Sequence, residues 1–123
     1  MKVLIVDDSG TMRKIIQRTL RKAGFEHLVF EEAENGKDGL AQIDKGKPDL
    51  VLSDWNMPTM NGIEFLQAVR QQNLPVRFGF LTSEGTQDMR QLAQTHGALF
   101  FITKPFTPEV FSEVLGPLLK KTA

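Results

Sequence analysis

Five short strand-like runs, 3–6, 28–33, 49–53, 77–81 and 98–102, recur along this chain, and each is followed by a stretch with helical periodicity. Strands separated by helices cannot pair through tight hairpins. They pair in parallel, in a sheet that buries itself beneath helices on both faces. Four of the runs end in a reactive polar residue: Asp7 and Asp8 after the first, Asp54 after the third, Thr82 after the fourth and Lys104 after the fifth. In a parallel sheet all carboxyl ends lie along one edge, so this alternation places three carboxylates, a hydroxyl and an ammonium together.

The elements between the runs follow from spacing and punctuation. Met12, Ile15, Ile16, Leu20 and Ala23 form an apolar stripe, with Ser9 as the cap and Gly24 as the stop. Asn35-Gly36 turns the chain into a short helix carrying Leu40 and Ile43, which Lys47-Pro48 ends. Gly62 opens a third helix with Ile63, Phe65, Leu66 and Val69 inward; Trp55 to Asn61, with two prolines, is a loop. The fourth helix spans Glu84 to His96 with Met89, Leu92 and Ala93 as its stripe, and Gly97 follows it. Pro108 suits the first turn of a fifth, with Val110, Phe111, Val114, Leu115 and Leu118 toward the sheet. The expected fold is a doubly wound, flavodoxin-like α/β sheet of order 2-1-3-4-5. Strands one and three then flank the crevice where ligands bind in such sheets.

Composition narrows the partners. At 123 residues the chain is expected to form one domain, 1–123, with no output segment. Fifteen basic and fifteen acidic residues cancel, so no global field attracts nucleic acid or an anionic membrane. Without cysteine there is no thiolate metal site or disulfide frame. No apolar run is long enough to span a bilayer and no signal peptide is evident, so a cytoplasmic location is expected. His27 and His96 fall in different elements and suggest a solvated or core-edge role.

Three neighbouring carboxylates repel one another unless they are protonated or share a cation. Oxygen ligands without histidine or cysteine select Mg²⁺, Mn²⁺ or Ca²⁺, and few carboxylates in an open cleft favour Mg²⁺. A plainer reading has Asp7-Asp8 capping the first helix, where negative charge is welcome. Asp54 is the candidate nucleophile for an acyl phosphate. Lys104 supplies positive charge to a transferring phosphoryl group, and Thr82 a hydroxyl donor. Locally bonded or solvated roles are the alternatives for those two. Trp55 is expected to be partly exposed, and Phe100, Phe106 and Phe111 to be core.

The segments Val6-Asp7-Asp8-Ser9 with Met12-Arg13, Glu31-Glu32-Ala33-Glu34-Asn35-Gly36, Ser53-Asp54-Trp55-Asn56-Met57-Pro58, Met60-Asn61-Gly62, Leu81-Thr82-Ser83-Glu84 and Lys104-Pro105-Phe106 resemble, in order and spacing, a response-regulator receiver domain. The resemblance is to the stand-alone, chemotaxis-type members. It implies that Asp54 accepts a phosphoryl group from a sensor histidine kinase. Asp8, Asp54 and the Asn56 backbone carbonyl would bind Mg²⁺, with Asp7 acting through water. Lys104, followed by a cis bond to Pro105, would contact the phosphoryl group. Thr82 would move to it and let the aromatic at position 101 turn inward. Asn56 and Glu84 would tune water attack on the phosphorylated state. A face of helix four, strand five and helix five would then meet a downstream protein, the flagellar switch being one candidate, and a phosphatase would reset it. A monomer is the default expectation.

This chain departs from the chemotaxis pattern at four places: Phe101 replaces the usual tyrosine, Ser9 an aromatic and His96 a small residue, and Gly79 interrupts strand four. Two other classes are weighed against the receiver. A phosphohydrolase of haloacid-dehalogenase type needs its first two aspartates separated by one residue, not adjacent. In a flavodoxin, Asp7-Asp8 would repel the flavin phosphate.

Overall fold

The computed structural model describes residues 1–83 and 85–119. Its strands are β1 (Lys2–Val6), β2 (Val29–Ala33), β3 (Leu50–Ser53), β4 (Arg77–Thr82) and β5 (Phe101–Thr103). They alternate with α1 (Gly10–Lys22), α2 (Gly36–Gly46), α3 (Gly62–Gln71), α4 (Gln87–Thr95) and α5 (Pro108–Leu115). All pairings are parallel and the order is β2-β1-β3-β4-β5, the doubly wound arrangement expected from the alternation.

Local chemistry sets the helix ends. Ser9, Asn35, Asn61, Thr86 and Thr107 each accept a backbone N–H from the first turn of the helix that follows. Asn61 and Glu64 bond reciprocally, closing a capping box. Past α1 and α4 the chain turns through Gly24 and Gly97 at φ of 103° and 90°.

Strand residues alternate between two cores. Leu4, Val6, Val51, Phe78 and Phe80 pack under α2, α3 and α4 with Ile43, Phe65, Leu66 and Ala93. Val3, Ile5, Leu50, Leu52, Leu81 and Ile102 face α1 and α5, against Ile16, Leu20, Phe111 and Leu115. β1 is buried beyond its first residue and β3 throughout, as continuous apolar runs in a parallel sheet require.

Several expectations shift. Ile15 and Leu92 belong to apolar stripes in sequence, yet both are 41% exposed; Ile16 and Ala93 take the inward positions beside them. α4 begins at Gln87, where the Thr86 hydroxyl caps it, and Glu84 lies outside the described residues, as do Lys120 and Lys121, the pair expected from the sequence to neutralise the C-terminal dipole of the last helix. β5 is shorter than the 98–102 run and starts at Phe101. The preceding residues still bond to β4: the Leu99 N–H donates to the Phe78 carbonyl (2.8 Å) and the Phe80 N–H to the Phe100 carbonyl (3.1 Å). Phe111 is fully buried, whereas Phe100 and Phe106 are half-buried against the same core.

Gly79 has a clear packing reason. A Cβ on it would sit 2.1 Å from the Phe100 ring, so the missing side chain is the slot into which that ring fits. Gly79→Ala is expected to destabilise by about 1–3 kcal/mol through overpacking. Urea denaturation of the single variant and of Gly79→Ala/Phe100→Ala checks this, since shortening the ring should recover part of the loss.

Candidate functional site

Three reactive residues hang from the last rung of a neighbouring strand. The Asp7 N–H donates to the Ala33 carbonyl of β2 (3.1 Å), the Asp54 N–H to the Val6 carbonyl of β1 (2.9 Å) and the Lys104 N–H to the Thr82 carbonyl of β4 (3.0 Å). Because Val6 pairs with Ser53, Asp7 and Asp54 are next in line on adjacent strands. The chain then turns sharply: the Gly62 N–H bonds the Trp55 carbonyl at 2.7 Å, and a Cβ at Gly62 would meet the Asp54 carbonyl at 2.4 Å. Only glycine lets α3 start this close to the strand end.

Asp7, Asp8 and Asp54 each bring one carboxylate oxygen to within 4.8 Å of the others. At that separation two charges repel by roughly 3 kcal/mol at an effective dielectric near 20. Asp7 is buried, Asp54 half-buried and Asp8 exposed, so the cluster opens to solvent on one side. Burial raises the Asp7 carboxyl from 3.8 to about 6; the Ser9 N–H pulls it down, and the charges of Asp54 and Asp8 push it further up. Asp54 is also raised, first by burial and then by Asp8, while the Trp55 and Asn56 N–H groups and the Lys104 charge oppose this. The donor set is all oxygen and short of positive charge, which fits a hard divalent cation.

Thr82 lies 1% exposed at the end of β4, and its Oγ1 has no hydrogen-bond partner among the described residues. A buried unpaired hydroxyl costs about 1–3 kcal/mol. The Phe101 ring lies toward the core, 5.9 Å from Trp55 and 6.0 Å from Phe80. Arg90 covers it from outside, with its guanidinium 4.8 Å from the ring centre and Nη1 donating to the Phe101 carbonyl at 3.0 Å. Trp55 is 8% exposed and packs 5.0 Å from Phe80, which corrects the expectation of a partly exposed loop aromatic. The loop folds back over the sheet and takes the indole into the core.

The model of the response regulator receiver domain family matches residues 3–115. This chain belongs to that family. The receiver is 40% identical to chemotaxis protein CheY1 of Helicobacter pylori (strain J99) over 97% of each chain. It is 38% identical to chemotaxis protein CheY of Pseudomonas aeruginosa over 98% of each. Its backbone superposes on Vibrio cholerae chemotaxis protein CheY4 with a TM-score of 0.83 at 38% identity, covering 96% of this chain and 98% of that one. It is therefore a receiver of the chemotaxis response-regulator kind and a signalling protein, which decides against the phosphohydrolase and flavodoxin alternatives. Among the described residues no helix is long and apolar enough to cross a membrane.

Of the residues singled out in the receiver's sequence, Asp7, Asp8 and Asp54 meet in one cluster. Lys104 is exposed but close enough for its charge to act on Asp54, and its bond to Pro105 is cis. Asn56 is exposed, with its N–H directed at Asp54. His96 caps the end of α4, half-buried, with Nε2 3.2 Å from the Gln67 amide nitrogen; His27 is exposed on the far side of α1 from Gly10. Arg90 is a member of this neighbourhood that sequence reasoning did not single out. A cation four residues past the Thr86 cap gives no local sign that it will cover an aromatic on β5.

Asp7 makes metal-free stability depend on pH. Its carboxyl holds a proton more tightly folded than unfolded, so its protonated form contributes stability at low pH that is lost as pH rises through about 6. In chelator, the urea midpoint of wild type should carry a component that falls between pH 4 and 7. Asp7→Asn should lack that component and gain up to about 3 kcal/mol relative to wild type at pH 7. Glu32, held down to about 2, titrates below this window.

Proposed function

We propose that the receiver domain spanning 1–123 is a phosphorylation switch in which Asp54 is the acceptor. A carboxylate oxygen of Asp54 attacks the phosphorus of a phosphohistidine on a sensor kinase. The P–N bond breaks, its electron pair returns to the imidazole, and an acyl phosphate remains on Asp54. Residues Asp8, Asp54 and the Asn56 backbone carbonyl would hold Mg²⁺, with Asp7 acting through water; the ion would supply charge neutralisation for the phosphoryl oxygens. Lys104 reaches the same group with its ammonium. The observation that carries this reading is the meeting of three carboxylate oxygens within 4.8 Å at the ends of β1 and β3.

Thr82 couples the site to its output. Its unpartnered Oγ1 is a ready donor to a phosphoryl oxygen on the neighbouring strand. A shift of Thr82 bears on Phe101, which sits one strand further out and lines a groove of about 310 Å³ with Arg90, Ala93, Leu99 and Phe100. The face of α4, β5 and α5 is thus the partner surface, and a phosphoryl group biases its two arrangements. A downstream protein such as a flagellar switch fits the chemotaxis relatives, and a phosphatase would return the switch to rest. Asn56, and by its sequence position Glu84, would adjust water attack on the acyl phosphate. With phenylalanine at 101, packing against Trp55 and Phe80 does the coupling that a hydroxyl cannot.

With a small acyl phosphate and Mg²⁺, wild type should gain one acid-stable, base-labile phosphate by intact-mass measurement, and Asp54→Ala none; equal labelling of both would overturn the assignment. Thr82→Val swaps the buried hydroxyl for a methyl of similar size. It should stabilise the unphosphorylated protein by about 1 kcal/mol and still accept phosphate. In NMR spectra its Phe101 ring resonances should no longer move on phosphorylation.

A further inference from the structure

Asp7 and Asp8 share one peptide unit, and the plane of that unit sets the direction in which Asp8 leaves the chain. Three contacts hold the surrounding turn. The Ser9 N–H donates to Asp7 Oδ1 (2.8 Å), the Met12 N–H to Ser9 Oγ (3.1 Å) and the Arg13 N–H to the Ser9 carbonyl (3.1 Å). A fourth comes from a side chain: Arg13 Nη1 donates to the Asp7 carbonyl at 2.6 Å, past the last rung of the sheet. The same guanidinium is gripped from behind, because its Nε donates to Glu32 Oε1 at 2.8 Å. Lys14 holds the other Glu32 oxygen at 2.8 Å, and the Gln42 amide bonds the Glu32 carbonyl at 2.6 Å. Glu32 is thereby fixed to β2, α1 and α2 at once, and Arg13 is braced against it.

We propose that Arg13, braced by Glu32, is a positioning residue that orients the Asp7–Asp8 peptide for divalent-cation binding. The inference rests on the metal-assisted reading above. Arg13 is 14% exposed in its side chain, against 60% for Lys14, so it is a fixed part of the turn while its neighbour is a solvated surface charge. Only the planar fork of an arginine can serve a carboxylate and a carbonyl together; a lysine offers one point charge. Glu32 has a second effect. A bare guanidinium beside the acid cluster would repel a cation, and the paired carboxylate cancels that charge while leaving the donor in place. Groups that orient metal ligands from behind typically change metal affinity by 10–100-fold when removed.

The two effects of Arg13 have opposite signs, which makes the proposal testable. If Arg13 were only a nearby positive charge, its removal would tighten Mg²⁺ binding. If it positions the peptide, removal weakens binding. Mg²⁺ titrations of the unphosphorylated protein can be followed by the emission of Trp55, whose N–H bonds Asp54 Oδ1 at 2.7 Å, and by calorimetry. Arg13→Met is expected to weaken Mg²⁺ binding by about 10-fold, and Arg13→Lys by less. Glu32→Gln should weaken it similarly in wild type and by under twofold in the Arg13→Met background, because the two act as a unit. Glu31→Gln breaks the Lys2–Glu31 pair on the other face of β2 and should leave affinity unchanged. Urea curves in chelator verify that each variant is folded at the titration temperature, and Arg13→Lys carries the test should Arg13→Met unfold. Unchanged or tighter binding by a folded Arg13 variant overturns the proposal alone. A wild type that takes up no Mg²⁺ at tens of millimolar overturns the proposal together with the metal-assisted reading beneath it.

Discussion

The parallel pairing of β1 with β3 is the constraint on which the molecule's chemistry depends. Val6 opposite Ser53 is the last matched pair, so each chain leaves the sheet through an aspartate at the same height. A two-residue slip in that register would part the acids by a full side-chain repeat. The register is held by apolar burial on both faces of β1 and β3. The hydrophobic core thus sets a distance between charges that would otherwise move apart. Electrostatic strain at the edge is sustained by packing in the middle.

Around that edge the molecule places polar groups in two different ways. On the side of α1 and β2, Arg13 bonds both Glu32 and the Asp7 carbonyl, and Glu32 takes both Arg13 and Lys14. On the side of β4 and β5 a polar group is left over, for Thr82 Oγ1 is buried without a partner among the described residues. The first arrangement is braced from two elements at once. The second leaves a donor in hand, which is the kind of imbalance a two-form site can use. The aromatic neighbours of Thr82 match this, since Phe101 is held by ring packing and by Arg90 with no hydroxyl of its own.

Much of this was legible in the residues. The alternation of strand and helix, the cap at Ser9, the turn at Asn35-Gly36, the helix start at Pro108 and the convergence of Asp7, Asp8 and Asp54 follow from period, turn chemistry and strand polarity. The misses are of one physical kind. Trp55 follows a polar strand end and precedes a proline-containing loop, so its burial depends on how that loop folds back through Gly62. The Arg13–Glu32 pair joins residues 19 positions apart on elements that each look solvated alone. The Gly79 gap makes sense only beside Phe100, 21 residues on and across a strand boundary. Local pattern specifies which elements form; side-chain partnerships between elements need the register as well.

The anchoring of Asp7, Asp54 and Lys104 just beyond the last rungs has a further consequence for how such a molecule can change over generations. Their backbones are each tethered to the scaffold by an N–H bond that any residue except proline can make, and none of the three belongs to either apolar core. Inheritance can therefore rewrite the reactive rim without endangering the architecture beneath it. A lineage that lost the aspartates would keep a sound fold with nothing to say, and one that gained new loops there could acquire a different vocabulary on the same frame.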